Sequence, residues 1–200
     1  MRHFASVIGL LCLFSVPAHA HDARVDWSGP YVAVGVLANS ARVSGSGNGL
    51  RLPGAQGSGA SLILGHDWQD GPLVLGAELA LSRGNLRGQG RCGAQGARCS
   101  LNDTHYLSLR LRAGVAQGRG MGFVTLGLAH NRWEHRIGGQ ARAQRRNGVV
   151  LGIGAEYALR PRLSLRVDAE HMRLAPGRRV DGARARYRAN TLRLSLVRRF

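Results

Sequence analysis

Residues 190–200, NTLRLSLVRRF, put Leu192, Leu194, Leu196 and Phe200 on one face at period two, and Thr191, Arg193, Ser195 and Arg199 on the other. A strand with one apolar and one polar side fits either the edge of a soluble sandwich or the wall of a membrane barrel. The terminal aromatic favours the wall, because a soluble sheet gains nothing from an exposed Phe, whereas a membrane barrel sets aromatics where its wall meets the interface. On this reading 190–200 is the closing strand of an outer-membrane β-barrel. Phe200 is its C-terminal assembly signal, offered to the barrel-assembly machinery.

The other end of the chain is an independent test. Arg2 and His3 precede an apolar run from Phe4 to Val16, and Ala18-His19-Ala20 has small residues at the two positions a signal peptidase reads. Residues 1–20 are therefore expected to be a cleaved signal peptide and residues 21–200 the mature barrel domain. Leu10 and Leu11 stand before Cys12 where a lipoprotein signal needs small residues, so no lipid anchor is expected. No later stretch approaches the ~18 consecutive apolar residues of a spanning helix. After export the chain is either soluble or inserted as strands.

All 28 basic residues are arginine, against 11 acids, for a formal net charge of +17. Such an excess suggests a polyanion partner, but export argues against nucleic acid. The absence of lysine fits a genome-wide codon bias as well as selection for a site. With 29 glycines and few aromatics, the composition suits strands and turns better than helices.

From His21 onward, alternating segments of about ten residues recur, the length a tilted transmembrane strand needs. They are 29–39, 60–69, 72–82, 104–115, 121–131, 148–158, 163–174 and 190–200, which predicts an eight-stranded antiparallel up-and-down barrel. The connections carry more information than the strands. Those near 70–71, 117–120 and 159–162 are short, and those near 40–59, 83–103, 132–147 and 175–189 are long. Strict alternation of short and long is the pattern of an outer-membrane barrel, with tight periplasmic turns and longer outer loops. A sandwich has no reason to keep it.

Glu78, Arg110, Arg112, Glu156, Arg166, Asp168, Glu170 and Arg193 all fall on the face opposite the apolar one. In lipid each would be costly, but inside a barrel acids and bases on facing strands can pair. Eight strands enclose a space that side chains just fill, so a packed polar lumen is expected, too narrow for a solute pore.

The opening Trp27-Ser28-Gly29-Pro30-Tyr31-Val32, the run GHDWQDGPLVLGAELAL over 65–81, the run GIGAEYALRPRLSLRVDAE over 152–170 and the terminal NTLRLSLVRRF together resemble the small outer-membrane β-barrel family of opacity-type, porin-like surface antigens. The resemblance covers the whole mature chain. It implies an eight-stranded barrel in the outer membrane of a Gram-negative bacterium, with a porin-like, adhesive or envelope-structural role. The outer loops depart from the family pattern in being rich in Arg and Gly and poor in acids, so no relative's partner carries over.

Cys92 and Cys99, alone after processing, sit in one long loop, and in an oxidising periplasm they read as a disulfide. A metal site there would need two more ligands, and none lies between them. His130, His135 and His171 raise the rival reading of a barrel-embedded lipid A-modifying hydrolase, but no serine stands beside His130 or His171 on the same strand face. No enzyme, metal or cofactor is expected. The best functional candidates are outer-loop arginines: Arg83, Arg87, Arg91 and Arg98, then Arg136, Arg142, Arg145 and Arg146, then Arg178, Arg179, Arg184, Arg186 and Arg188. Guanidinium forks match phosphate in two-point contacts. Lipopolysaccharide of the same cell, or a polyanion on a host surface, is the expected partner of a monomeric barrel; solvated charge without a partner is the competing reading.

Overall fold

The computed structural model describes residues 25–46, 54–92, 97–137, 140–174 and 184–200. Eight strands close an antiparallel barrel in chain order: β1 (Gly29–Ser46), β2 (Ala55–Asp70), β3 (Leu73–Cys92), β4 (Ala97–Gln117), β5 (Gly120–Ile137), β6 (Gln140–Arg160), β7 (Leu163–Leu174) and β8 (Arg184–Arg199). The seam pairs β8 with β1, from Tyr31 opposite Arg199 to Ser46 opposite Arg184. With that seam the ring of strands closes on itself.

Alternation along each strand sets which residues meet lipid. Leu111 on β4 and Leu128 on β5 are each 68 % exposed, as are many other outward Leu, Val and Ile residues to a lesser degree, while their inward neighbours Arg110, Arg112 and Ala129 are buried. A continuous apolar belt on this scale would not stay monomeric in water. It is the lipid-facing wall of a membrane barrel. Among the described residues no helix is long and apolar enough to cross a membrane, and the crossing is made by strands.

Residues 25–28, Phe200 and the short turns lie at one end. Gly71 and Gly118 open two-residue turns with φ of 57° and 58°, a left-handed conformation that favours glycine. At the first turn Pro72 follows, and its fixed negative φ gives the II′ arrangement suited to a twisted hairpin. The third turn, 161–162, has no glycine and instead follows a register shift between Ala158 and Arg160. Arg119 ties the second turn to the third by donating to the carbonyls of Ala158 at 3.0 Å and Leu159 at 2.6 Å.

The structure corrects the strand lengths. The segments read as long outer loops are largely strand: β1 runs to Ser46 rather than Asn39, β3 to Cys92 rather than Ser82, β4 begins at Ala97 rather than Thr104, and β5, β6 and β8 are extended likewise. Above the belt neither face meets lipid, so the alternation that marked the strands stops, yet the backbone ladder still satisfies its own hydrogen bonds and continues. Register shifts at Arg83/Leu86 and Asp103/His105 mark that transition on β3 and β4. Pro72 and Phe200 fall just outside the strands.

The segment before β1 closes the turn end. Trp27 is fully buried against Val74, Met121 and Ala158. Its amide donates to Gln69 Oε1 at 2.7 Å, and the Gln69 amide donates to Ser28 Oγ at 3.2 Å. A second apolar layer, including Tyr31, Ile63 and Val197, and a third, including Met172, Leu174 and Tyr187, lie higher in the barrel. The interior is thus a polar network between apolar layers, rather than polar throughout.

Candidate functional site

The inward faces of β3, β4, β6, β7 and β8 bring the eight lumen residues together, all of them buried. Glu78 is bound by Arg110 at 2.5 Å and by Arg166 at 2.6 Å. Glu170 takes Arg110 and, at 3.0 Å, Arg193. Asp168 takes Arg193 at 2.8 Å and Arg166 Nε at 3.1 Å, and Glu156 takes Arg112 at 2.7 Å. Two of these contacts join register partners, Glu78 opposite Arg110 and Asp168 opposite Arg193, while the register partner of Glu156 is Arg166.

Four members of the network were not singled out from the sequence. Asp67 on β2 receives Arg199 at 2.7 Å and Arg112 at 3.2 Å. The Tyr31 hydroxyl donates to Glu78 at 2.6 Å, and Ser164 donates to Glu156 at 2.6 Å. Strand parity already placed Asp67 and Arg199 on the inward face. Phe123 lies under two guanidiniums, 4.0 Å from Arg112 and 4.4 Å from Arg166, and so lets two like charges share one side of the lumen. Tyr31 and Phe123 reach these positions because Gly65 and Gly154 face them across the ladder; a Cβ there would lie 2.3 Å and 2.4 Å from the respective rings.

Five buried arginines, Arg110, Arg112, Arg166, Arg193 and Arg199, meet five buried acids, Asp67, Glu78, Glu156, Asp168 and Glu170. The network is neutral, so the whole +17 lies outside it. Among the described residues, the strands above the belt carry fourteen arginines against two acids, Asp103 and Glu134.

The candidate anion-binding residues lie mostly on strands, not on loops. Arg142, Arg145 and Arg146 are on β6, and Arg184, Arg186 and Arg188 on β8. Arg188 is exposed, together with Arg42, Arg83 and Arg173. Arg178 and Arg179 lie outside the described residues, as does the expected signal peptide, 1–20. The side chains of Cys92 and Cys99 also lie outside them; the backbone register sets Cys92 opposite Ala97 and Cys99 opposite Gly90. Their disulfide stands as a proposal, tested by the mass of the alkylated chain with and without reductant.

His130 and His171 both project from the outer wall, and each ring meets an asparagine, His130 Nδ1 with Asn147 Oδ1 and His171 Nδ1 with Asn190 Oδ1, both at 2.7 Å. Arg173 Nε donates to His171 Nε2 at 3.2 Å. Both ring nitrogens of His171 are thereby engaged. Among the described residues no group of three or more His, Cys, Asp or Glu is arranged to hold a metal.

The family described as outer membrane protein beta-barrel domain matches residues 7–200. No curated protein matches the sequence. Among solved structures, Neisserial surface protein A is 16 % identical with a TM-score of 0.53, covering 86 % of this chain and 98 % of its own. Ail, the attachment invasion locus protein of Yersinia pestis, is 15 % identical with a TM-score of 0.51, covering 86 % and 99 %; it has also been solved in complex with the heparin analogue sucrose octasulfate. OprG of Pseudomonas aeruginosa is 11 % identical with a TM-score of 0.50, covering 86 % and 96 %. At such identities the likeness is one of fold.

Proposed function

Because the chain belongs to the outer membrane protein beta-barrel domain family and lies in the outer membrane of a Gram-negative bacterium, we propose that it is a monomeric surface protein whose arginine-rich outer end contacts a polyanion, in an envelope-structural or adhesin-like role. The observation that carries this reading is the partition of charge. The lumen is neutral, while among the described residues the part of the barrel above the belt holds fourteen arginines and two acids. An unbalanced charge of that size raises the local concentration of anions and speeds their encounter with the surface. Lipopolysaccharide of the same cell and an acidic polymer on another surface both supply such anions.

The test compares the wild-type barrel with a variant in which Arg178, Arg179, Arg184 and Arg186 are replaced by Gln, measuring binding to heparin and to purified lipopolysaccharide at two salt concentrations. Heparin is the soluble probe because a heparin analogue occupies the Ail complex. Exposed charges are screened beyond ~8 Å at physiological ionic strength, so binding should weaken with salt and with the substitutions. Equal, salt-insensitive binding by both proteins would sink the reading.

An enzymatic role is not part of this proposal. His171 and His130 are held by asparagines rather than by an acid and a serine, which does not supply the base and nucleophile a hydrolase needs.

A further inference from the structure

Above the belt, three arginines stand side by side on neighbouring strands. Arg42 on β1 is the register partner of Arg188 on β8, and Arg188 is the register partner of Arg173 on β7. All three share the parity of the lipid-facing residues below them and all are exposed. Among the described residues none has a carboxylate partner. Like charges directly opposite across a ladder repel and destabilise the pairing, so the row costs the barrel stability unless an anion occupies it.

The rows beneath grade from charge to hydrocarbon. One step down are Ser40, Asn190 and His171, again mutual register partners, with His171 linked both to Asn190 and to Arg173. One further step down are Ala38, Leu192, Ala169 and Ile153. A groove of about 1060 Å³ crosses the outer wall at these two levels, with small side chains at Ala38, Ser40 and Ala169 and larger ones at Leu192 and Ile153. On the adjoining strands β5 and β6 the first polar pair above the belt is His130 with Asn147, which is not a guanidinium pair. One step higher the backbone register sets Arg132 of β5 opposite Arg145 of β6, so what distinguishes the row on β7, β8 and β1 is the groove directly beneath it, which reaches Ser40, Asn190 and His171.

We propose that Arg42, Arg188 and Arg173, with the groove beneath them, form a lateral site for one phosphorylated, acylated glycolipid of the outer leaflet, its phosphate on the arginine row and an acyl chain in the groove. Adjacent strands lie ~4.8 Å apart, so the row spans roughly 10 Å and lets neighbouring guanidiniums grip one phosphate by two-point hydrogen bonds. This deepens the preceding reading, on which it rests, by giving the anion a lipid source and a place on the wall.

The test uses the full mature barrel in detergent micelles, titrated with bisphosphorylated lipid A, with dephosphorylated lipid A, with phosphatidylglycerol and with heparin. The variants are R42Q/R173Q/R188Q, R188Q alone, and A169F, which fills the groove without touching the charge. Folding of each is checked by heat-modifiable migration. Losing the row's charge-assisted bonds should weaken binding of phosphorylated lipid A by about tenfold or more, with R188Q intermediate and A169F also weakened. Dephosphorylated lipid A should bind wild type no better than phosphorylated lipid A binds the triple variant, and heparin binding should be retained. Unchanged lipid A binding by a folded triple variant, or by folded R188Q should the triple not fold, overturns the site. Equal affinity for phosphatidylglycerol, or parallel loss of heparin and lipid A, overturns it in favour of diffuse surface charge. Failure of wild type to bind either heparin or lipid A removes the parent reading as well, whereas heparin binding with lipid A bound equally by wild type and triple variant removes this inference alone.

Discussion

Glu78 and Arg166 meet at 2.6 Å although they stand on β3 and β7, on opposite sides of the ring. The lumen is bridged across its width, and the same carboxylate also holds Arg110 and the Tyr31 hydroxyl. A ring of strands with hydrogen bonds only between neighbours is thereby cross-braced.

Replacing Glu78 with Leu should leave Arg166 and Arg110 buried without their shared partner. Removing one member of a buried pair typically costs ~3–5 kcal/mol. The urea midpoint of the refolded barrel should fall accordingly, and combining Glu78→Leu with Arg166→Leu should cost less than the two single changes added together. A Glu78→Leu protein that unfolds like wild type would show that the brace carries no stability.

Gly65→Ala and Gly154→Ala should each destabilise the barrel by ~1–3 kcal/mol, the usual range for overpacking. The new methyl would lie within 2.4 Å of the Tyr31 or Phe123 ring. Gly122 on β5 is the control, since a Cβ there meets nothing within 4 Å; Gly122→Ala should fall within ~0.5 kcal/mol of wild type. Equal effects at all three positions would contradict the aromatic-over-glycine packing.

Liposomes carrying the folded protein should not swell in small sugars. Between Trp27 at the turn end and Tyr187 near the other, the described interior is filled by the ion network and its apolar layers. Sugar uptake above that of protein-free liposomes would restore the porin-like alternative.

Lipid A extracted from cells with and without the gene should give the same mass spectrum. Of the histidines that raised the hydrolase reading, His130 and His171 are engaged by asparagine and arginine side chains, and the side chain of His135 lies outside the described residues. A deacylated species that disappears on deletion would make the barrel an enzyme.

The faces of the strands were legible because lipid enforces a strict period of two. Leu109 and Leu111 outward with Arg110 and Arg112 inward can be read from four consecutive letters. The upper halves of the strands were not, since with water on the outer face nothing imposes alternation on a stretch such as 140–147, QARAQRRN, now part of β6. Asp67 and Arg199 lay on the correct face, but their pairing joins residues 132 apart in the chain, and such a contact depends on closure of the ring. Trp27 gave no period to read because it precedes the first strand, and its place against Val74 and Met121 comes from tertiary packing alone.

The extra length of the strands separates the arginines by height. From Leu81, the last outward leucine on β3, to Cys92 the strand climbs roughly 25–30 Å along the membrane normal, taking ~3.4 Å per residue and a tilt near 40°. The row of Arg42, Arg188 and Arg173 borders the hydrocarbon, whereas the upper ends of β3 and β4 stand well clear of it. One barrel can therefore present two cationic tiers that do not compete. The lower is anchored among lipid headgroups, and the upper is carried outward like a mast to where only molecules approaching from outside the cell can reach it.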